Sequence, residues 1–362
     1  MNLAGAAAVT TRSVPSQGSP YFTQLDFLKC YAIALVVVVH VSATGSYLWH
    51  TVPATDWWIS TAFNSFARTC VPLFLMASGA TLLDTAKTEP VSRFLARRLR
   101  RIIVPLMVWS CVYLADRAWL MGESLTAGSI FRYLVTGATF YHLPFFYYLF
   151  SLYLSAPVLA PFAERARGGT VLYFILLWAA AACVQLASDL TGVASGVAIP
   201  VIAGFAGYFV LGRMLRDSAI GGRAIAVCLC LIAIGWLVTL LATFRLTTAA
   251  GHLNELLFEY VRPNIATMSV ASYLVLVSAP VLRFAERHPA ITRFMRQFGG
   301  LTFGIFLVHP LLLQIAIPRL HVAWTTGGPL IGIPLTTIAT LALSALVVWV
   351  IRQWSAIRII VS

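Results

Sequence analysis

Two ionisable residues interrupt the first long apolar run of the sequence, LDFLKCYAIALVVVVH, in which Lys29 and His40 lie eleven residues apart. At about 1.5 Å and 100° per residue, a helix separates them by roughly 16 Å in depth and keeps them nearly on one face. Ionisable groups inside a membrane segment are costly and usually mark a working site. The spacing therefore predicts that Lys29 lies at a membrane boundary and that His40 is buried on the same face of the helix. The alternative is a lysine that extends to the interface below a histidine hydrogen-bonded within the bundle.

Two further apolar runs carry ionisable residues at a comparable depth. Arg68 lies about ten residues into the second run, within ARTCVPLFLMASG, where a guanidinium needs a carboxylate, a bound anion or water. His309, in LTFGIFLVHPLLL, lies roughly 19 Å along its helix from the basic residues that precede it, near the level of His40. Imidazole titrates near neutral pH, so these three residues predict a proton-transfer site. The alternative for Arg68 is a structural pair with Asp56 or with a backbone carbonyl. The alternative for His309 is a hydrogen bond to the backbone carbonyl that Pro310 leaves without its helical partner.

A basic cluster follows the second apolar run, in SRFLARRLRRIIVP. Its five arginines lie within nine positions: Arg93, Arg97, Arg98, Arg100 and Arg101. Arginine forks bind phosphates through paired hydrogen bonds, and the sequence has no Gly-rich phosphate loop that would compete with them. A nucleotide-like donor that enters from the cytoplasm would find its phosphate site here. The alternative is a topology signal or a contact with anionic lipid.

The fourth apolar run begins YHLPFFYYLFSLYLSAPVL, with His142 at its outer end and an aromatic band that includes Tyr147. Aromatic belts are common at membrane interfaces, so the band alone does not indicate a site. A histidine and aromatic faces at an outer mouth would nevertheless suit a sugar or a polyisoprenoid-linked acceptor. The sequence offers several outer carboxylates as partners and does not choose among them: Asp56, Asp116, Glu123, Asp189, Glu255 and Glu259.

The elements that position these residues are membrane helices. The 362 residues are 60% hydrophobic and 10% charged, with a mean hydropathy of +0.86, which a soluble domain of this length cannot bury in a core. The net charge of +13 comes from short clusters between apolar runs, so we expect no nucleic-acid partner. The six cysteines show neither zinc spacing nor a disulfide framework. We predict an all-α polytopic bundle of about ten transmembrane helices, near residues 23–45, 58–83, 101–121, 142–163, 170–189, 197–215, 223–245, 262–283, 298–318 and 329–351.

The distribution of basic residues predicts the orientation of this bundle. With the N-terminus inside, nineteen of the 25 basic residues fall on the inner side, so we expect both termini in the cytoplasm. The others fall in the outer half or outside: Arg68, Arg117, Arg132, Arg245, Arg262 and Arg319. We predict a disordered cytoplasmic tail over 1–20, a membrane domain over 21–352 and a cytoplasmic C-terminal tail over 353–362. The first apolar run is expected to remain as a helix rather than to be cleaved as a signal peptide.

In their order and spacing over about residues 22–318, these motifs resemble those of the acyltransferase-3 family of bacterial integral membrane acyltransferases, which acylate cell-surface glycans. The first run resembles the family's motif of a basic residue, ten residues and a histidine, with Lys29 where arginine is commoner. ARTCVPLFLMASG resembles the family's second-helix motif, and RRLRRIIVPLMVW resembles its inner basic loop. HLPFFYYLFSLYLSAPVL resembles its helix-four signature, and LTFGIFLVHPLLL resembles its late histidine motif. The chain departs from the helix-four signature at Pro144, where tryptophan is usual.

The resemblance implies an integral O-acyltransferase of the bacterial cytoplasmic (inner) membrane. Its donor would be acyl-CoA, expected to be acetyl-CoA, held at the cytoplasmic face by Lys29 and the arginine cluster, and no metal is expected. His40 would be the leading catalytic residue. Arg68 would assist donor binding, and His309 would line the same cavity. Membrane lipid is expected as a further partner.

The implied acceptor is a hydroxyl of a cell-surface polysaccharide or lipid-linked sugar, with His142 and Tyr147 as expected contacts. His40 would act either as the general base of a direct transfer or as a transiently acylated nucleophile. The alternative from another class is a transporter or flippase for a polysaccharide precursor, in which the ionisable residues form a proton or substrate path. The sequence lacks the internal repeat and paired interrupted helices typical of such transporters. A structural subunit would leave a buried Arg68 and His40 unexplained.

Overall fold

The computed structural model describes residues 20–193, 204–218 and 220–361, and every regular element in these ranges is helical. The α-helices, in chain order, are α1 (Pro20–Tyr47), α2 (Ala54–Ala67), α3 (Cys70–Thr88), α4 (Val91–Trp119), α5 (Ala127–Thr136), α6 (Pro144–Arg165), α7 (Gly169–Thr191), α8 (Phe205–Leu215), α9 (Gly222–Ala250), α10 (Pro263–Leu276), α11 (Ala279–Arg287), α12 (Pro289–Gly299), α13 (Thr302–Arg319) and α14 (Pro329–Arg352). Short 3₁₀ turns occupy Leu256–Phe258 and Arg358–Val361. The predicted all-α class is confirmed.

Large apolar side chains cover the outside of this bundle as well as its interior. Leu176 of α7, Leu229 of α9 and Ile338 of α14 each expose more than half of their surface. Water would penalise such a surface by about 25 cal/mol per Å² of apolar area, whereas lipid tails would not. Hydroxyl groups such as those of Thr239 and Thr340 are instead buried between helices. The chain is therefore a polytopic helical membrane protein.

Eight helices of the described ranges are long and apolar enough to span a bilayer, with α2 and α3 counted together as one span over Ala54–Ala86. A ninth span arises if α10 and α11, which are bent by 44°, are taken as one. This pair covers the predicted segment 262–283, and Pro280 explains its bend because proline cannot continue the preceding helix. The predicted segment 197–215 is described only from residue 204, and α8 alone is too short to span.

The first helix, α1, is the central helix of the bundle and carries both Lys29 and His40. It packs against α2, α3, α12, α13 and α14. The side-chain amide of Asn64, in α2, donates to the carbonyl of Val39 at 3.1 Å and to the hydroxyl of Ser42 at 3.3 Å. These two hydrogen bonds lie on either side of His40 along the chain, so α2 fixes α1 at the level of this histidine.

Two glycines allow the backbones of α3 and α8 to touch. A Cβ added at Gly79 would lie 1.7 Å from the carbonyl oxygen of Phe209, and one added at Gly212 would lie 2.0 Å from that of Met76. Small residues permit such approaches in membranes, where packing rather than the hydrophobic effect holds helices together. The pair α3 and α8 thus forms one rigid wall beside α1.

We expect Gly79→Ala to destabilise the protein by about 1–3 kcal/mol or more, because the added methyl group must displace the backbone of α8. Thermal unfolding of the purified protein in detergent measures this change. Gly128→Ala is the matched control, since its added Cβ would meet only the Thr126 hydroxyl at 3.9 Å. Equal unfolding temperatures for the two variants would contradict this account of the helix contact.

The C-terminal residues return to the bundle after α14. The indole of Trp109, in α4, donates to the carbonyl of Ile360 at 2.9 Å, and Val361 is fully buried. The last 3₁₀ turn packs against α4, α13 and α14. The predicted C-terminal tail therefore ends as a packed element. The predicted N-terminal tail, up to residue 19, lies outside the described residues.

Candidate active site

Three imidazoles from separate parts of the chain meet inside the bundle. His40 of α1 stacks on His309 of α13 with ring centroids 5.3 Å apart, and His142, just before α6, lies 5.7 Å from His309. Tyr141 contacts His40 with 4.6 Å between ring centroids. His309 and His142 are buried, and His40 is partly exposed. The structure thus brings together the two histidines of the predicted proton-transfer site, and it adds His142, expected at an outer mouth, beside them.

Hydrogen bonding defines the proton position on His309. Its Nδ1 lies 3.0 Å from the carbonyl oxygen of Ile305, one turn earlier in α13. A carbonyl only accepts, so Nδ1 carries the proton and donates it to this bond. The neutral ring then keeps a lone pair at Nε2, which has no hydrogen-bond partner among the described residues. His309 therefore combines a structural bond on one side with a free acceptor nitrogen on the other.

Arg68 lies at the junction of α2 and α3 and is held by two polar partners. Its Nε donates to the side-chain oxygen of Asn64 at 2.8 Å, and its Nη2 lies 3.3 Å from Oε1 of Glu255. Its guanidinium also covers the ring of Phe258, 4.4 Å from the centroid. Glu255 is thus the carboxylate that pairs with Arg68. Because Asn64 also bonds the α1 carbonyl that precedes His40, the same amide positions the guanidinium and the histidine.

A basic cavity of about 350 Å³ opens at the end of the bundle that carries Lys29. Lys29, Arg98 and Arg101 line it, and so do the hydroxyl-bearing residues Ser78 and Tyr153. These three cations come from two helices, α1 and α4. Apolar side chains such as Phe74, Leu149 and Phe303 complete the lining, so the cavity suits an anionic ligand that also presents apolar surface.

The arginine cluster is helical, whereas the sequence placed it in a loop before a helix at 101–121. The first turn of α4 follows Pro90, and the good helix formers of this stretch continue it through the cluster. Arg98 and Arg101 are three positions apart, so they share one face and both reach the basic cavity. The other three predicted donor-binding arginines, Arg93, Arg97 and Arg100, do not line this cavity. Arg97 pairs instead with Glu89.

A middle cavity of about 240 Å³ continues from the basic cavity. The two cavities share Phe145 and Phe306, whose ring centroids are 5.1 Å apart. His40 and His142 line the middle cavity, and none of its described lining residues carries a carboxylate, an ammonium or a guanidinium group. Phe145 and Phe306 therefore form the partition between a basic entrance and a mostly apolar chamber.

A wide cavity of about 890 Å³ lies beyond the middle one. His40, Tyr141 and Tyr260 line both of them, so the two cavities meet at these three rings. The wide cavity has a mixed charged and aromatic lining that includes Arg68, Arg117, Glu255, Gln314 and Trp324. His40 consequently faces a chamber whose described lining has no carboxylate, ammonium or guanidinium group on one side, and a chamber lined by such groups on the other.

An ionic cluster fixes the loop that follows α4, next to the wide cavity. Arg117 lies 2.7 Å from Glu123 and donates to the hydroxyl of Tyr133, in α5, at 2.8 Å. Hydrogen bonds from Tyr133 and Arg117 hold the pKa of Glu123 below its ordinary value. Glu123 is therefore ionised at neutral pH and ties this loop to α5.

The acceptor-binding residues expected from the sequence lie in different environments. His142 lines the middle cavity, whereas Tyr147 lines none of the three cavities and its hydroxyl donates to the carbonyl of Leu134. Sequence reasoning did not identify Gln314 or Trp324, which line the wide cavity. A signal existed for Gln314, since it is a lone amide in the apolar helix that carries His309, but Trp324 follows that helix in a connecting segment without a distinctive pattern.

Within the described part of the chain, no group of three histidine, cysteine or carboxylate side chains could hold a metal ion. The arrangement offers a histidine as proton acceptor, a guanidinium within electrostatic range of it, and two access routes that meet at that histidine. Such a site can bring together two substrates that approach from opposite ends.

Comparison with models of protein families matches residues 22–349 to the family described as an acyltransferase domain, the acyltransferase-3 domain. No curated protein and no solved structure gives a significant match to the chain. The matched range contains nearly the whole chain and every site residue described above. It favours an enzyme over the transporter that the sequence left as an alternative.

Proposed function

This chain belongs to the acyltransferase-3 domain family, and we propose that it moves an acyl group from cytoplasmic acyl-CoA to a hydroxyl of a cell-surface polysaccharide or lipid-linked sugar. The observation that supports this most strongly is the position of His40, which lines both the middle and the wide cavity. A base in that position contacts a donor from one end and an acceptor from the other. We further propose a bacterial inner-membrane location with the basic end toward the cytoplasm, as the arginine distribution indicates.

The donor would bind with its phosphates in the basic cavity. Arg98 and Arg101 supply two guanidinium groups there that can each form paired hydrogen bonds with a phosphate, and Lys29, whose Nζ also lies 3.3 Å from Oδ1 of Asp26, adds a third cation. The thioester arm would then pass between Phe145 and Phe306. The eleven residues from Lys29 to His40 span roughly 16 Å of helix, a length that an extended pantetheine arm can follow.

His40 would act as the general base of a direct transfer. It takes the proton of the acceptor hydroxyl as that oxygen bonds to the thioester carbonyl carbon, and the carbonyl oxygen becomes an oxyanion. The guanidinium of Arg68, which lines the wide cavity and lies within electrostatic range of His40, would stabilise this charge through space and without a direct hydrogen bond. Collapse of the intermediate breaks the carbon–sulfur bond, and the CoA thiolate receives the proton from His40. His309, stacked on His40, would hold the catalytic ring in place.

The acceptor would occupy the wide cavity. A sugar presents hydroxyl groups at its edges and an apolar face, and this cavity offers Gln314 and Glu255 for the former and Trp324 for the latter. In this proposal Tyr147 supports the wall behind the cavities, and His142 lies closer to the thioester than to the acceptor. Both differ from the acceptor contacts expected from the sequence.

Comparison of surface glycans from cells with and without the gene tests the proposed function. We expect mass spectrometry to detect glycan species that carry an additional acyl group, in the simplest case acetyl, only when the gene is present. Cells that produce His40→Ala at equal membrane abundance are the control and should resemble the deletion. Identical glycan and lipid-linked sugar masses in all three strains would contradict the proposal.

A further inference from the structure

The middle cavity contains a set of side chains that belongs to neither neighbouring cavity. Most of them are apolar or aromatic: Val36, Cys70, Val71, His142, Pro144, Tyr148 and Phe205. Val36 and Val71 are buried and come from α1 and α3, the two helices that flank the site. The described lining of this chamber offers a sugar no amide, carboxylate, ammonium or guanidinium group, whereas the wide cavity offers Gln314 and Glu255. The lining favours a hydrocarbon occupant.

His142 provides an independent indication that a ligand occupies this chamber. It is 4% exposed, and neither of its ring nitrogens has a hydrogen-bond partner among the described residues. A buried imidazole in either neutral tautomer has one N–H group that needs an acceptor. The carbonyl oxygen of a thioester would supply that acceptor at the point where the chamber also meets His40.

The size of the chamber exceeds the requirement of an acetyl group. An engineered apolar cavity of about 150 Å³ in another protein binds benzene, a ring of six carbons. The middle cavity has about 240 Å³. It therefore has space for a thioester carbonyl and for a carbon chain longer than that of acetyl.

We propose that the middle cavity is an acyl-chain pocket that binds short linear acyl groups up to about butyryl, and that Val71 helps to set this length. The inference rests on the proposed function, since it assumes an acyl-CoA whose arm enters past Phe145 and Phe306. With the carbonyl carbon at His40 and its oxygen at His142, the chain extends between α1 and α3. The sugar stays in the wide cavity, where its hydroxyl groups find polar partners.

Competition binding on the full-length protein in lipid nanodiscs tests this pocket without a known acceptor. Radiolabelled acetyl-CoA is displaced by unlabelled CoA, acetyl-CoA, butyryl-CoA or octanoyl-CoA. Each methylene group that leaves water should tighten binding about fourfold, so we expect butyryl-CoA to bind up to about 15-fold more tightly than acetyl-CoA. Octanoyl-CoA should show no further gain, because its chain exceeds the pocket.

Two substitutions at Val71 should shift the preference for acyl-chain length in opposite directions. Val71→Phe fills the pocket and should lower the affinity ratio of butyryl-CoA to acetyl-CoA about tenfold or more, while Val71→Ala should raise the relative affinity of octanoyl-CoA. Val71→Ala alone decides the question if the larger side chain prevents folding. Val348→Ala is the matched control, since Val348 is also buried but lines none of the three cavities, and it should leave the order of affinities unchanged.

Equal affinities of the unmodified protein for acetyl-CoA and butyryl-CoA would overturn the proposal that the middle cavity binds the acyl chain. So would an order of affinities that neither substitution at Val71 changes. Absence of binding for every CoA species, free CoA included, would instead overturn the proposed function, and the pocket with it.

Discussion

His40→Ala is expected to reduce acyl transfer from acyl-CoA by about 10²- to 10⁴-fold, the usual contribution of a positioned general base. His40 is the histidine that faces both the chamber next to the donor site and the wide cavity, and its neighbour His309 is fully buried. The loss should appear in kcat, with little change in the affinity for acyl-CoA, because the phosphate site is on the far side of Phe145 and Phe306. Transfer of radiolabel from acetyl-CoA to the glycan fraction of isolated membranes measures it.

The control for this substitution is His252→Ala, since His252 is exposed and lines none of the cavities. It should retain the transfer rate of the unmodified protein. Direct transfer also predicts that acetyl-CoA without acceptor leaves no label on the protein. Retained transfer in a folded His40→Ala would remove His40 from the mechanism, and a stable label on His40 would replace the general base with an acylated nucleophile.

Arg98→Ala and Arg101→Ala are expected to raise the KM for acyl-CoA about ten- to a hundredfold each, because hydrogen bonds between charged groups contribute about 1.5–3 kcal/mol. Both side chains line the basic cavity beside Lys29. Their kcat values should change far less, since neither residue reaches the chamber that contains His40. Initial rates over a range of acyl-CoA concentrations separate the two constants.

Arg100→Ala is the matched control, because Arg100 belongs to the same cluster and is exposed like Arg101, but does not line the cavity. It removes the same charge from the same helix and should leave KM within about twofold of the unmodified value, the range of exposed surface charges. Equal increases in KM for Arg98→Ala, Arg100→Ala and Arg101→Ala would indicate a diffuse electrostatic effect. That result would contradict a defined phosphate site.

The sequence predicted most of the fold because hydrophobic length alone determines where membrane helices form. Each of the nine predicted segments that lie wholly within the described residues coincides with one helix or with two consecutive helices. Pro280 breaks the segment 262–283 into two helices, and the segment 197–215 is described only from residue 204. The charge of the basic cluster favours a loop, whereas the helix propensity of its arginines, leucines and alanine favours a helix, and the propensity prevails in α4.

The candidate site was predictable to the extent that it depends on helical rise. Lys29 and His40 share α1, and a fixed rise per residue determines their relative depth. The pairing of Arg68 with Glu255 was not predictable, because these residues are 187 positions apart and meet only through the packing of their elements. The burial of His142 was not predictable for the same reason. It depends on the inward path of the short segment before α6 and on contacts with the rings of Phe306 and His309 in α13.

A structure of the protein with acetonyl-CoA, a thioether analogue of acetyl-CoA that cannot transfer its acyl group, tests the central claim most directly. Cryo-electron microscopy in lipid nanodiscs would locate the ligand. We predict phosphates beside Lys29, Arg98 and Arg101, the sulfur atom past Phe145 and Phe306, and the ketone between His40 and His142. Phosphates bound anywhere other than the basic cavity, or a ketone that does not reach His40, would contradict the proposed path from the donor to the catalytic histidine.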